Sequence, residues 1–154
     1  MPSGTVVAIC ICLAAGAPML EVQEVTAEAG SGLVGDRYCG GNGSWNKDKP
    51  GERQVTFMNT IFFTDSGFTY ADSRRNMFVE GLELMDLIGK EFTVGDVTFR
   101  GVKYCDPCDR PNNLAGIKKS FREAFWDRGG LIAEILSSGT INVGDTVKVS
   151  KKRN

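Results

Sequence analysis

Cys105-Asp106-Pro107-Cys108 is the sharpest local feature of the chain. Thiolates are soft ligands and good nucleophiles, suited to binding a metal, carrying sulfur or exchanging a disulfide. Arg110 follows at once, and a neighbouring cation favours the thiolate form of a cysteine in general. The same spacing also fits two small buried residues in a turn. Zinc is a poor match, because structural zinc takes four Cys or His ligands, commonly as two paired knuckles. Here there is one Cys-x-x-Cys and no histidine. A thioredoxin-like pair is also a poor match, since it opens a helix in a βαβ setting and a hairpin precedes Cys105.

The arginines are the second feature. Arg37, Arg53, Arg74, Arg75, Arg110 and Arg128 all stand beside turns, glycines or strand ends and not along one helix face. Arginine meets phosphate with a planar fork of donors, and glycine-rich backbone offers N–H groups to the same anion. Spacing alone does not bring six separate arginines together, and for each alone a solvated surface charge is the plainer reading. The absence of histidine excludes Ser-His-Asp and Cys-His catalysis, HExxH zinc sites and His-based metal triads. Proton transfer would have to use Asp, Glu, Lys, Tyr, Cys or water. Asp36 and Asp106 are candidates, although both also suit turns. Cys10 and Cys12 lie two apart on an apolar run and read as core. Cys39, in a glycine-rich loop beside Arg37, is left open.

The elements that must position these groups fit one domain over residues 1–154, with a core of about 5–149. At 154 residues, 42% hydrophobic and 24% charged, the chain is ordinary globular material, able to bury roughly 68–70% of its unfolded surface. The formal charge of -1 lacks the basic excess of a general nucleic-acid binder. No basic residue precedes Thr5–Leu13, which is far shorter than a membrane span of about 20 residues. The cysteine count is odd, so the expectation is a cytoplasmic protein with reduced thiols and no membrane segment.

Thr5–Leu13 reads as a buried strand, and Glu21–Ala27 as a second. Residues 28–52, rich in glycine, read as a long loop, and loops beyond roughly 12–15 residues in a compact domain are usually functional or disordered. Arg53–Phe57 reads as a strand, Met58–Phe63 as strand or helix, Asn76–Val79 as a strand and Gly81–Ile88 as a short helix. Glu91–Val94 and Val97–Tyr104 flank the turn dipeptide Gly95-Asp96 and predict a hairpin. Leu114, Ile117, Phe121 and Phe125 predict one amphipathic helix over Pro111–Trp126, with Gly129-Gly130 as its stop. Leu131–Leu136 and Ile141–Val149 add strands, and Lys151–Asn154 reads as a solvated basic tail. The expected fold is mainly β, a barrel with a few peripheral helices.

An ordered set of short motifs resembles one family. Gly35-Asp36-Arg37, Arg53-Gln54-Val55 and Arg74-Arg75-Asn76 come first. Gly81-Leu82-x-Leu84-x-x-Leu87-Ile88-Gly89-Lys90-x-Phe92-x-Val94-Gly95 and Cys105-Asp106-Pro107-Cys108 follow. Arg128-Gly129-Gly130 and Gly139-Thr140-Ile141-x-Val143-Gly144-Asp145 complete it. Together they resemble the MOSC domain, named after the C-terminal domain of molybdenum-cofactor sulfurases. The resemblance implies a MOSC-type β-barrel that binds the molybdenum cofactor (molybdopterin), a pterin dithiolene bearing a phosphate. It implies Cys108 as metal ligand and catalytic or sulfur-carrying thiol, assisted by Cys105. It places Arg37, Arg53, Arg74, Arg75, Asn76 and Arg128 around the anionic cofactor. Many relatives follow Gly-Asp-Arg with His, where this chain has Tyr38. Neither the pyridoxal-phosphate domain of the sulfurases nor the extra N-terminal domain of the reductases is expected within these 154 residues. The implied function is a sulfur carrier or molybdenum-dependent redox component, working with a sulfur-donor or redox partner. The alternatives are a non-catalytic cofactor- or anion-binding module and, more weakly, a thiol–disulfide protein using Cys105 and Cys108.

Overall fold

A computed structural model of the chain describes residues 3–39 and 53–150. Among the described residues are eleven strands and two short helices: β1 Ser3–Ile11, β2 Leu20–Val22, β3 Glu24–Glu28, β4 Gly32–Leu33, β5 Val55–Asn59, β6 Met77–Glu80, β7 Glu91–Val94, β8 Val97–Tyr104, α1 Arg110–Ala115, α2 Phe121–Ala124, β9 Leu131–Ile135, β10 Gly139–Asn142 and β11 Thr146–Val149. The ring β11-β7-β8-β9-β5-β6-β1 closes through pairing of β1 with β11, giving a seven-stranded barrel. Closure leaves this sheet with no open edge of its own. β2 adds to β1 at one end only. A three-stranded sheet, β10-β3-β4, covers the side and contributes Val25, Ala27, Leu33 and Ile141 to the barrel core.

Alternation along the strands fills that core. Phe57 stands near its middle, with the Phe92 and Phe99 rings edge-on at 5.4 Å each. Among the described strands only β5 and β6 run parallel, and a parallel neighbour demands a crossover of a dozen or more residues. The crossover contains the 3-10 turns Thr60–Phe63 and Ala71–Ser73. Its Phe63 and Phe68 join Phe78, Met58, Phe121 and Phe125 in a second buried cluster on the outer face of the wall. A register shift in β1 between Val6 and Ala8 sends Val6 and Ile9 into the barrel and Ala8 and Cys10 into the outer cluster.

The hairpin at Gly95-Asp96 forms with the expected bounds. The expected second strand is divided at Gln23, β2 pairing with β1 and β3 with β10. Met58–Phe63 is both: strand to Asn59, then a 3-10 turn. Gly81–Ile88 contains a 3-10 turn over Leu84–Leu87 in place of a helix. The single helix expected over Pro111–Trp126 is corrected to two. Gly116 takes φ +70 and ends α1, and Ser120 starts α2 afresh by capping the Glu123 N–H. Leu114 is consequently exposed while Phe121 and Phe125 are buried. Of the expected glycine-rich loop, residues 28–39 contain β4 and tight turns, and 40–52 lie outside the described residues, as does the tail 151–154. Among the described residues no helix is long and apolar enough to cross a membrane.

Candidate functional site

Arg74 and Arg75 sit in the bend between the 3-10 turn Ala71–Ser73 and β6. Arg74 has a left-handed backbone, φ +64, which turns successive guanidinium groups in different directions. Arg75 is buried and donates to carbonyls: Nε to Gly129 O at 3.0 Å, and the terminal nitrogens to Ser73 O at 3.3 Å and Asp106 O at 3.4 Å. Carbonyl dipoles satisfy its hydrogen bonds but leave its unit charge in place. Arg74 donates to Ala17 O at 2.5 Å and reaches Cys12 Sγ at 3.5 Å. Burial, then the positive charge of Arg37, holds the Arg74 guanidinium below its ordinary pKa; Cys12 acts the other way, and Arg110 adds further repulsion.

Arg37 comes from the turn after β4. It pairs with Asp36 at 3.2 Å and donates to Arg74 O at 2.6 Å and to the Tyr38 hydroxyl at 3.0 Å. Asp36 is itself buried and accepts the Cys12 N–H at 2.9 Å. Burial raises its pKa, opposed by Arg37 and by backbone N–H groups. Arg53 precedes β5. Burial disfavours its charge, yet Cys105, Tyr38 and Cys108 favour it more, and its pKa is raised on balance. Arg110 opens α1 next to Cys108.

These side chains share one hollow of about 40 Å³. Arg37, Arg53, Arg74, Arg75 and Arg110 line it, with Tyr38 and Cys108; Ala15, Gly16 and Pro111 complete the wall. A space this size admits one or two waters or a small anion. Taking charge into such a place without compensation is costly, and five guanidinium groups around it concentrate positive charge there.

The two cysteines of the motif part company. Both are free thiols, Cys105 buried and Cys108 exposed. Cys105 donates its N–H to Gly130 O at 2.9 Å at the end of β8. Its carbonyl lies so close to Gly129 that a Cβ there would come within 2.0 Å of it. The glycine expected as a helix stop is thus the residue that lets the Cys105 segment approach. Cys108 turns out onto the hollow. Of the other expected cofactor residues, Asn76 is fully buried: its Oδ1 accepts from Thr56 N and Oγ1, and its Nδ2 donates to Cys10 O. Arg128 is exposed and lies over the Phe62 ring at 5.0 Å, away from the hollow. The hollow adds Tyr38 and Arg110 to the residues the resemblance indicated. Arg110 carried a signal in its place just after Cys108, where the structure starts α1. Among the described residues no three Cys, Asp or Glu side chains gather as a metal-ligand cluster.

Several solved structures resemble the chain in fold, three of them as follows. The YuaD protein from Bacillus subtilis superposes with a TM-score of 0.80 at 14% identity, covering 98% of this chain and 97% of that one. YiiM from Geobacillus stearothermophilus gives 0.68 at 14% identity, covering 96% and 75%. YiiM from Escherichia coli gives 0.66 at 14% identity, covering 97% and 71%. No curated protein matches the sequence. The sequence profile of the MOSC domain matches residues 51–148, more than half of the chain, beginning after Arg37 and Tyr38. With the closed barrel and this profile together, the chain belongs to the MOSC domain family.

Proposed function

We propose that this MOSC domain binds the molybdenum cofactor, with Cys108 as the thiolate that ligates the metal or carries sulfur. One observation carries the reading: five arginines from four separate stretches of chain open onto the same hollow as an exposed thiol. The donor set fits the cofactor's phosphate, since guanidinium forks match phosphate oxygens in pairs. A soft sulfur beside it fits molybdenum or sulfane sulfur. When bound, the cofactor supplies a metal centre able to exchange oxygen or sulfur.

The chain's own residues have distinct parts. Arg37, Arg53, Arg74, Arg75 and Arg110 hold the anionic end. Cys108 reaches the reacting partner from the mouth. Cys105, walled in behind, is a positioning residue, and so is Asn76, which fixes the strand that follows the arginine pair. Arg128 stays outside this set. The size of the hollow favours a second reading, a non-catalytic module that holds a small anion or the cofactor for a partner enzyme.

Expression in a cofactor-producing host tests the first reading, with elemental analysis for molybdenum and mass spectrometry for a persulfide on Cys108. The expected result is molybdenum or persulfide on the wild-type chain, lost in Cys108→Ala and reduced in Arg37→Ala and Arg75→Ala. Wild-type protein bearing neither overturns it.

A further inference from the structure

We propose that residues 13–18 form a strap along one side of the hollow, that Arg74 latches it shut, and that an anion bound to Arg74 releases it. This rests on the reading of the hollow as an anion site and gives that site a moving wall.

A wall has to move for the proposed cofactor to enter. The hollow measures about 40 Å³, against roughly 300–1,000 Å³ for sites that enclose small molecules. Much of its wall is pinned. Arg75 is tied to three carbonyls and Arg37 to the Asp36 carboxylate. On the Cys108 side, Asp109 accepts from Ser120 Oγ at 2.5 Å and from Arg122 N at 3.3 Å, which fixes the start of α1 to α2.

The strap supplies Ala15 and Gly16 to the wall and is held differently. Ile11 pairs with Leu20, so β1 and β2 bring its two ends side by side, and element ends of this kind serve as hinges. Ala14–Ala17 is a turn closed by the Ala17 N–H on Ala14 O at 3.0 Å. Gly16 stands at φ +79, as a type II turn requires of its third residue. Leu13, Ala14, Ala15, Gly16 and Pro18 are exposed. The Cys12 thiol, at the root of the strap, donates to Ala14 O at 2.8 Å and to Ala17 O at 3.4 Å. Arg74 Nη1 reaches across from the bend before β6 and clasps Ala17 O at 2.5 Å.

Arg74 gains by exchanging that carbonyl for a guest. Burial and the charges of Arg37 and Arg110 weigh against its own charge. A carbonyl offers it a dipole, whereas an anion offers a full opposite charge, the stronger partner in a poorly hydrated place. Drawn to the guest, Arg74 leaves Ala17 O, and the strap keeps the Cys12 thiol, a weak donor. The anionic end of a guest thus opens room for the part that follows it.

The test is amide hydrogen exchange of the full-length chain, read by NMR in sodium chloride and in saturating sodium sulfate of equal ionic strength. Calorimetric titration supplies the sulfate dissociation constant. The reporter is the Ala17 N–H. The control is the Cys10 N–H, bonded to Asn76 O at 2.7 Å in the barrel wall. Sulfate is expected to speed Ala17 exchange about tenfold, the scale of one lost hydrogen bond from a charged group, and to leave Cys10 unchanged. Arg74→Gln is expected to exchange that fast at Ala17 without sulfate, and sulfate then adds nothing. Ala17 exchange that sulfate slows or leaves unchanged overturns the proposal, and so does a folded Arg74→Gln with wild-type exchange at Ala17. If Arg74→Gln does not fold, the two wild-type measurements decide alone. Molybdenum retained by a chain whose strap does not loosen removes this proposal and keeps the cofactor reading; a strap that loosens in a chain retaining no molybdenum does the reverse.

Discussion

The barrel interior is sealed from water and the arginine hollow opens to it at Cys108 and Arg110, and the two are held together by opposite means. Inside the barrel, Phe57, Phe92, Phe99 and their aliphatic neighbours bury apolar surface with no polar group to satisfy, so burial there is favourable outright. In the hollow, Arg37 has a carboxylate, while Arg75 bonds to carbonyls and Arg74 to a carbonyl and a sulfur. Their hydrogen bonds are satisfied and their repulsion is not. The barrel is therefore complete as it stands, and the hollow is the place where an anion would relieve repulsion. Stability and binding should separate along this line.

The largest effect expected is on the barrel side. Phe57→Ala leaves a void between two edge-on rings and should cost about 3–5 kcal/mol of unfolding free energy, read by chemical denaturation, with the anion dissociation constant unchanged where the variant is folded. On the other side, sulfate at a hundred times its dissociation constant should stabilise the wild type by about 2.7 kcal/mol, read as a shift in melting temperature. Arg110→Ala should lose most of that gain, while its ligand-free stability stays within about 0.5 kcal/mol, because Arg110 is exposed. An Arg110 variant that unfolds like Phe57→Ala would erase the distinction.

A finer test uses Cys10, on the outer face of the wall. Burial, helped by Glu21, pushes its thiol up to about 12 from an ordinary 9.0. The protonated thiol's contribution is fully present below pH 9, where the unfolded chain begins to ionise, and is lost as the pH rises toward 12. Denaturation of wild type and Cys10→Val between pH 8 and 11 should show a steeper alkaline decline for wild type and no such difference at neutral pH. The last expectation involves no change in stability. Iodoacetamide should modify Cys108 in the native protein, and Cys10, Cys12 and Cys105 only after unfolding.

Local chemistry made the barrel readable from the sequence. The hairpin bounds follow from apolar runs on either side of Gly95-Asp96, and a turn dipeptide acts on its own neighbours. The Pro111–Trp126 stretch misleads because the apolar spacing survives while the backbone breaks at Gly116, so one periodic stripe covers two short helices. The hollow was legible only as a list of arginines. Residues 37, 53, 74, 75 and 110 are brought together by barrel closure and by the crossover between β5 and β6, and no sequence interval encodes either. Arg128 has the same composition signal as the others and rests on an aromatic ring instead. Asn76 follows the arginine pair in sequence, and its carboxamide faces the opposite way.

That carboxamide spans three strands' worth of chain, grasping Thr56 before β6 begins and the Cys10 carbonyl on β1. It acts as a rivet through the wall, with the two guanidinium groups as fittings on its outer head. Breathing of the β1-β6-β5 seam would then carry Arg74 and Arg75 along as a pair, tying the arginine spacing to how tightly the barrel staves are drawn together.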